Sequence, residues 1–152
     1  MCVITNSNLF RGFNKETLKK VQDAAERKVF VPGVFVFHGG DPADYLYILE
    51  EGRVRLRIGQ GGQVSYALNE AGDVFGWSSL MNQAEYTLSA ECISTVSVAR
   101  LEKNALLRIL ENDAPSGLIF FRRLGELISQ RLFNAYKATV FVHGERSSLS
   151  YG

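Results

Sequence analysis

Between Val29 and Leu101 the chain is cut by turn signals about every ten residues, and the stretches between them alternate apolar and polar side chains. The signals fall at Pro32-Gly33, Gly39-Gly40-Asp41-Pro42, Glu51-Gly52, Gly59-Gln-Gly-Gly62 and Ala71-Gly72-Asp73. Segments this short cannot form well-packed helices. A period of two sends successive side chains to opposite faces, so the region must fold as short strands with one buried side. A β-sandwich or barrel-like roll satisfies that demand. The clearest hairpin pairs residues 53–58 with 63–68. Val54, Leu56 and Ile58 share one face, opposite Arg53, Arg55 and Arg57, and are matched across the glycine-rich loop by Val64, Tyr66 and Leu68.

The periodicity is helical on either side. Residues 14–28 predict an amphipathic helix capped by Asn14, with Leu18, Val21, Ala24 and Ala25 on its apolar stripe. Residues 103–112 carry Leu106, Leu107, Ile109 and Leu110 at helical spacing, and Asp113 and Pro115 suit the cap and first turn of a further helix. That helix is expected to run to about Ala138, leaving residues 1–138 as one domain and 139–152 as a flexible tail. One stripe on it holds Leu118, Phe121, Leu124, Ile128, Leu132 and Ala135. A second holds Phe120, Leu127, Phe133 and Tyr136. One stripe suffices for docking on the parent domain, so the second predicts a homodimer through the helix from Leu118 to Tyr136.

Composition removes several function classes. A formal charge of +1 creates no global field for nucleic acid or anionic membrane. No apolar run approaches the roughly 18 residues needed to span a bilayer, and the start of the chain has no signal-peptide pattern. Cys2 and Cys92 form no metal or redox motif, which points to a reducing, cytoplasmic setting. Phosphate-loop and dinucleotide fingerprints are missing, as is any plausible Ser-His arrangement, so an enzyme is not expected.

The stretch from Asp73 to Ala90 carries the functional signal. A strand-like pair meets Gly76, small polar residues open a helical turn, and a new alternating strand follows a short loop. Backbone N–H groups at the start of such a turn lack internal partners and favour an anion. The segment therefore predicts a pocket for a small phosphorylated or carboxylated ligand, drawn from Phe75, Gly76, Trp77, Ser78, Ser79, Leu80, Glu85, Tyr86, Thr87, Leu88 and Ser89. The plainer alternative is an ordinary turn whose serine hydroxyls cap a helix start.

The residues Gly40-Asp41-Pro42-Ala43-Asp44-Tyr45-Leu46-Tyr47-Ile48-Leu49-Glu50-Glu51-Gly52-Arg53-Val54, then Gly72-Asp73-Val74-Phe75-Gly76 and Thr87-Leu88-Ser89-Ala90, set this order of elements beside a known pattern. From Leu9 to Ala138 the chain resembles the cyclic nucleotide-binding domain family, which includes catabolite-activator-like regulators and regulatory subunits of cyclic-nucleotide-dependent kinases. The resemblance implies a mainly β fold: a double-stranded β-helix, or jelly-roll-like β-roll, with an N-terminal helix and C-terminal helices. It also implies cyclic AMP or cyclic GMP as ligand. In that family a glutamate after the Phe-Gly pair takes the ribose hydroxyl, and an arginine further on pairs with the cyclic phosphate.

Here Trp77 stands in the glutamate position and Ala84 or Glu85 in the arginine position, with no Lys or Arg anywhere between Gly59 and Ala99. A charge-assisted hydrogen bond is worth about 1.5–3 kcal/mol, so its loss weakens phosphate binding by roughly one to two decades. Binding in the family's usual mode is therefore not expected, and another small anion is the alternative ligand. Trp77 either stacks on a ligand or fills the pocket. The arginines at 53, 55 and 57 form either a solvated face or a replacement cation. Some relatives bind haem, but His38 and His143 lack a paired-ligand pattern. Two functions follow: a ligand sensor with a hinge near residues 112–117, or a degenerate domain retained for dimerisation or docking. In regulators of this type a helix-turn-helix domain of roughly 60 residues follows the dimer helix. Only 14 residues follow Ala138, so operator binding is not expected unless the chain is a fragment.

Overall fold

The computed structural model describes residues 2–58 and 65–143. Four helices, α1 (Cys2–Asn6), α2 (Lys15–Ala24), α3 (Lys103–Asn112) and α4 (Ala114–His143), flank eight strands. The strands are β1 (Glu26–Phe30), β2 (Phe35–Phe37), β3 (Tyr45–Glu51), β4 (Val54–Arg57), β5 (Ser65–Leu68), β6 (Val74–Phe75), β7 (Ser89–Cys92) and β8 (Val96–Glu102). They form two four-stranded sheets, ordered β1-β8-β3-β6 and β2-β7-β4-β5. Every pairing is antiparallel. This is the expected mainly β roll with an N-terminal helix and C-terminal helices.

The first sheet is covered on both faces, which explains the near-continuous apolar runs of β3 and β8. Tyr47 and Leu49 of β3, Phe75 of β6 and Val96 and Val98 of β8 point into the roll, where they meet Phe37, Val54, Leu56, Leu68 and Tyr86. Leu46, Ile48, Val74, Ala99 and Leu101 point the other way and pack with Ile4, Phe10, Leu106, Phe120 and Leu124 of the helical layer. The predicted hairpin forms with Val54 opposite Leu68 and Leu56 opposite Tyr66. β4 ends at Arg57, however, and Ile58 is exposed rather than on the inner face. Gln63 and Val64 lie outside the described residues. The arginine stripe is in part ion-paired: Arg57 Nη2 lies 2.8 Å from Glu91 Oε1 on the neighbouring β7.

The helices depart from expectation at their ends. Asn14 caps α2 through its Oδ1, which accepts from Thr17 N–H at 2.8 Å. The helix stops at Ala24, not Lys28, because Glu26, Arg27 and Lys28 join the ladder opposite Arg100, Ala99 and Val98. The long helix α4 has 30 residues and passes the expected end at Ala138. Residues 139–143 are therefore helix rather than tail, while 144–152 lie outside the described residues. Its two expected stripes are also divided differently. Phe120 and Leu124 are fully buried in the chain's own core, with the Phe120 ring 5.6 Å from Phe10, whereas Leu118, Phe121, Leu132 and Phe133 are exposed.

One turn fixes the junction between the sheets' strands. Gly52 has φ +105°, and a Cβ there would sit 2.3 Å from the Thr95 carbonyl oxygen and 2.9 Å from Val96 Cα. Both obstacles are backbone and cannot swing aside. Gly52→Ala is expected to lower the unfolding free energy by roughly 2–4 kcal/mol, measured by urea denaturation.

Candidate functional site

The candidate site is a small cavity of about 30 Å³ at the mouth of the roll, lined by Phe37, Leu56, Phe75, Gly76, Trp77, Ser78, Tyr86, Thr87, Leu88 and Arg131. Seven of the residues singled out from the sequence meet there: Phe75, Gly76, Trp77, Ser78, Tyr86, Thr87 and Leu88. Ser79, Leu80, Glu85 and Ser89 do not line it. Ser79 Oγ donates to the Gly76 carbonyl at 2.9 Å, and Leu80 is buried in the helical core. Glu85 is exposed in an isolated bridge opposite Pro42, so it adds no charge to the cavity lining. Ser89 Oγ accepts from Gly39 N–H at 2.8 Å.

The local backbone explains this division. β6 ends at Phe75, Gly76 takes φ +79°, and the chain then makes a 3-10 turn over Trp77–Leu80. A Cβ at Gly76 would lie 3.1 Å from both the Tyr45 carbonyl oxygen and the Tyr47 ring, so the turn closes against β3 only with glycine there. The predicted helix start is only four residues long, and its serines are drawn into the turn itself.

Aromatic rings fill much of the roll behind the cavity. Phe37 stacks on Tyr86 at 3.7 Å between centroids, and Tyr47 stacks on Phe75 at 5.3 Å. The Tyr86 hydroxyl donates to the Tyr45 carbonyl at 2.7 Å and accepts from Tyr45 N–H at 3.1 Å. Burial raises the pKa of Tyr86 well above that of a free phenol, and burial likewise raises Tyr47. Both therefore act as neutral hydrogen-bonding and packing groups. Cys92, in the same core, has its thiol pushed up to about 11 by burial and by the neighbouring Glu91. It is not a thiolate at neutral pH. Of the two histidines, His38 is exposed and stacks on Phe35 at 4.4 Å, and the side chain of His143 is outside the described residues.

Trp77 is half-buried, packs against the helical core and forms one wall of the cavity. Its outer face is covered by Arg131 of α4, whose guanidinium carbon lies 4.5 Å from the Trp77 ring centroid and 5.3 Å from that of Tyr66. Burial pulls the Arg131 pKa below the usual arginine value, with Tyr66 and Asp73 working against that shift. Arginine nevertheless stays charged at neutral pH. Sequence reasoning missed this residue: helical periodicity gives Arg131 no apolar role, and a solvent-facing position is the ordinary reading of such a charge. The sequence signal that bears on it is the lack of any Lys or Arg between Gly59 and Ala99.

The structure is thus a β-roll closed by a glycine turn, with a small cavity at its mouth and a long helix against that cavity. Residues 27–113 match the cyclic nucleotide-binding domain family, and the chain belongs to it. It is 40% identical over 91 residues to a cAMP-dependent protein kinase regulatory subunit of Hypocrea atroviridis, covering 60% of this chain and 19% of that protein. It is 30% identical over 131 residues to the cyclic AMP receptor protein of Thermus thermophilus, covering 85% and 59% of the two chains. The solved Thermus thermophilus catabolite activator protein superposes with a TM-score of 0.69 at 26% identity, covering 90% of this chain and 63% of that one. The regulatory subunit of a cAMP-independent protein kinase A from Trypanosoma brucei shares the fold, with a TM-score of 0.74 at 19% identity and coverage of 91% and 47%. The chain thus spans about a fifth of the fungal kinase subunit and under two thirds of the Thermus receptor protein.

The junction between α3 and α4 holds the helical layer to the N-terminal segment. Asp113 Oδ2 accepts from Ser116 Oγ at 2.6 Å and from Thr17 Oγ1 at 2.7 Å, joining the start of α4 to α2. These bonds, Ser116 first, hold the Asp113 carboxyl below its ordinary pKa. A depressed carboxyl stabilises the fold above its unfolded pKa of about 4 and loses that contribution as pH falls through the folded value. Asp113→Asn should therefore melt lower than the parent at pH 7, with the gap narrowing below about pH 4 in thermal scans across that range.

Proposed function

We propose that this chain is a non-catalytic, ligand-sensing regulatory module, homodimeric through α4, that binds its ligand without the Glu/Arg pair usual in its family. The ligand is a cyclic nucleotide or another small anion. One observation carries this reading: Arg131 of α4 forms part of the cavity wall and covers Trp77 at 4.5 Å. Any molecule that enlarges the cavity must contact or displace the helix that would carry the signal, so occupancy and helix position are linked.

Support for a dimer comes from the outer face of α4. Leu118 is 62% and Leu132 49% exposed, and Phe121 and Phe133 are also exposed, a cluster larger than a surface helix needs. Leu118, Phe121 and Leu132 follow spacings of three and eleven residues, which suit a two-helix seam. Leu124 is not on that face, so replacing it would test the core and not association.

The small cavity supports a second reading. Small-ligand sites occupy about 300–1,000 Å³, roughly tenfold or more above the 30 Å³ present here. On this reading the pocket is closed for good and only dimerisation or docking remains.

Thermal shift with cyclic AMP, cyclic GMP and phosphorylated metabolites separates the two. A ligand at about 100 times its Kd should raise Tm by roughly 5–10 °C. No shift across the panel would favour the degenerate module. Phe121→Asp and Leu132→Asp are each expected to yield folded monomers by sedimentation velocity with unchanged circular dichroism. Dimers that survive both changes would refute the α4 seam.

A further inference from the structure

We infer that Arg131 is the anion-binding cation of this site, delivered by α4 in place of the cation absent from the segment 73–90, and that the ligand carries an oxyanion. The inference rests on the sensor reading above and names the group that recognises the ligand.

Among the described residues, four buried side-chain polar atoms lack a hydrogen-bond partner: Arg57 Nε, Glu91 Oε1, Arg100 Nε and Arg131 Nη1. Three of them belong to ion-paired side chains, with Arg57 2.8 Å from Glu91 and Arg100 3.5 Å from Glu26. Their charges are compensated even where one atom is not bonded. Arg131 is different: among the described residues no carboxylate lies within ion-pair distance of it.

The contacts that Arg131 does make leave one of its N–H groups unmet. Its guanidinium lies over the Trp77 and Tyr66 rings, bonds with Tyr66 and is favoured by the charge of Asp73, but Nη1 is buried with no partner. A ring face attracts the positive charge but accepts little from the N–H groups, which lie in the plane of the guanidinium and form a fork suited to an oxyanion. A buried N–H of a half-buried guanidinium that lacks a partner is costly, and one kept beside a cavity offers a site for a negative group. Arg131 lines the same cavity as Gly76, Ser78 and Thr87, so an oxyanion bound there would lie among hydroxyl and backbone donors. The apolar walls, Leu56, Phe75 and Leu88, would take the ligand's uncharged part.

The chain contains one tryptophan, Trp77, so its fluorescence reports directly on the ring that Arg131 covers. The test titrates the full chain and its Arg131→Gln and Arg131→Lys variants with cyclic AMP, cyclic GMP, inorganic phosphate and benzoate, with adenosine as the uncharged control. Tm and Trp77 emission are read together. At least one oxyanion should stabilise the parent chain and alter Trp77 emission, while adenosine does neither. Arg131→Gln should weaken that binding at least tenfold, and Arg131→Lys should recover part of it. Inorganic phosphate or benzoate acting alone would separate a simple anion from a nucleotide as the source of the charge. Circular dichroism and sedimentation of the Gln variant check that fold and assembly persist. If the Gln variant binds with unchanged Kd, the Arg131 assignment is overturned and the sensor reading stands. If no oxyanion shifts the parent chain, both fall.

Discussion

Burial of the first sheet on both faces is the constraint on which the remainder of the structure depends. In β3 and β8, alternate side chains serve different cores: Tyr47, Leu49, Val96 and Val98 fill the roll, and Leu46, Ile48, Ala99 and Leu101 support the helices. A one-residue slip in register would exchange the two sets, placing Tyr47 among the helices and Ile48 in the roll. Each layer therefore fixes the other. The turn after β6 belongs to both. Phe75 lies in the roll, Leu80 in the helical core, and Gly76, Trp77 and Ser78 line the cavity between them.

That arrangement sets the turn after β6 against the long helix. With Trp77 in the turn and no Lys or Arg between Gly59 and Ala99, that wall of the cavity carries no charged side chain. The opposite wall is α4, and it brings both an apolar contact for the indole and a positive charge. The contact between the cavity wall and the long helix ties the shape of the cavity to helix placement. The Asp113 junction supports such coupling. It fixes the start of α4 to α2 through Thr17, while Arg131 lies well along the helix, so a small rotation at the junction becomes a larger displacement at the cavity.

Much of the fold was legible in the sequence because alternation and glycine turns are local signals. The hairpin around Val54 and Leu68, the exact span of α3 and the caps at Asn14 and Asp113 all follow from neighbours in sequence. Glu26, Arg27 and Lys28 carry a helical pattern, but their strand state is set by β8, some seventy residues away. The division of the apolar residues of α4 between core and surface has a similar origin. Apolar residues surround α4, and only the position of Phe10 and the first sheet decides which of them are inside. Within the site, the residues contiguous with Gly76 could be found, but Arg131 could not, since its partner Trp77 is brought to it only by the tertiary fold.

The parts of the cavity wall are not equally free to yield. Tyr86 is held by two hydrogen bonds to Tyr45, and its backbone is paired on both sides, with Gly40 N–H donating to its carbonyl and its own N–H donating to Asp41. Moving it would break several bonds at about 0.5–1.5 kcal/mol each, in addition to the Phe37 stack. The contact between Arg131 and Trp77 is a single ring–guanidinium interaction, worth about 0.5–2 kcal/mol. Separating them would also let water reach a buried, unpaired N–H group, which offsets part of that loss. Even with the further contact of Arg131 to Tyr66, fewer bonds hold the side of α4 than hold Tyr86, so the cavity wall yields at lower cost there.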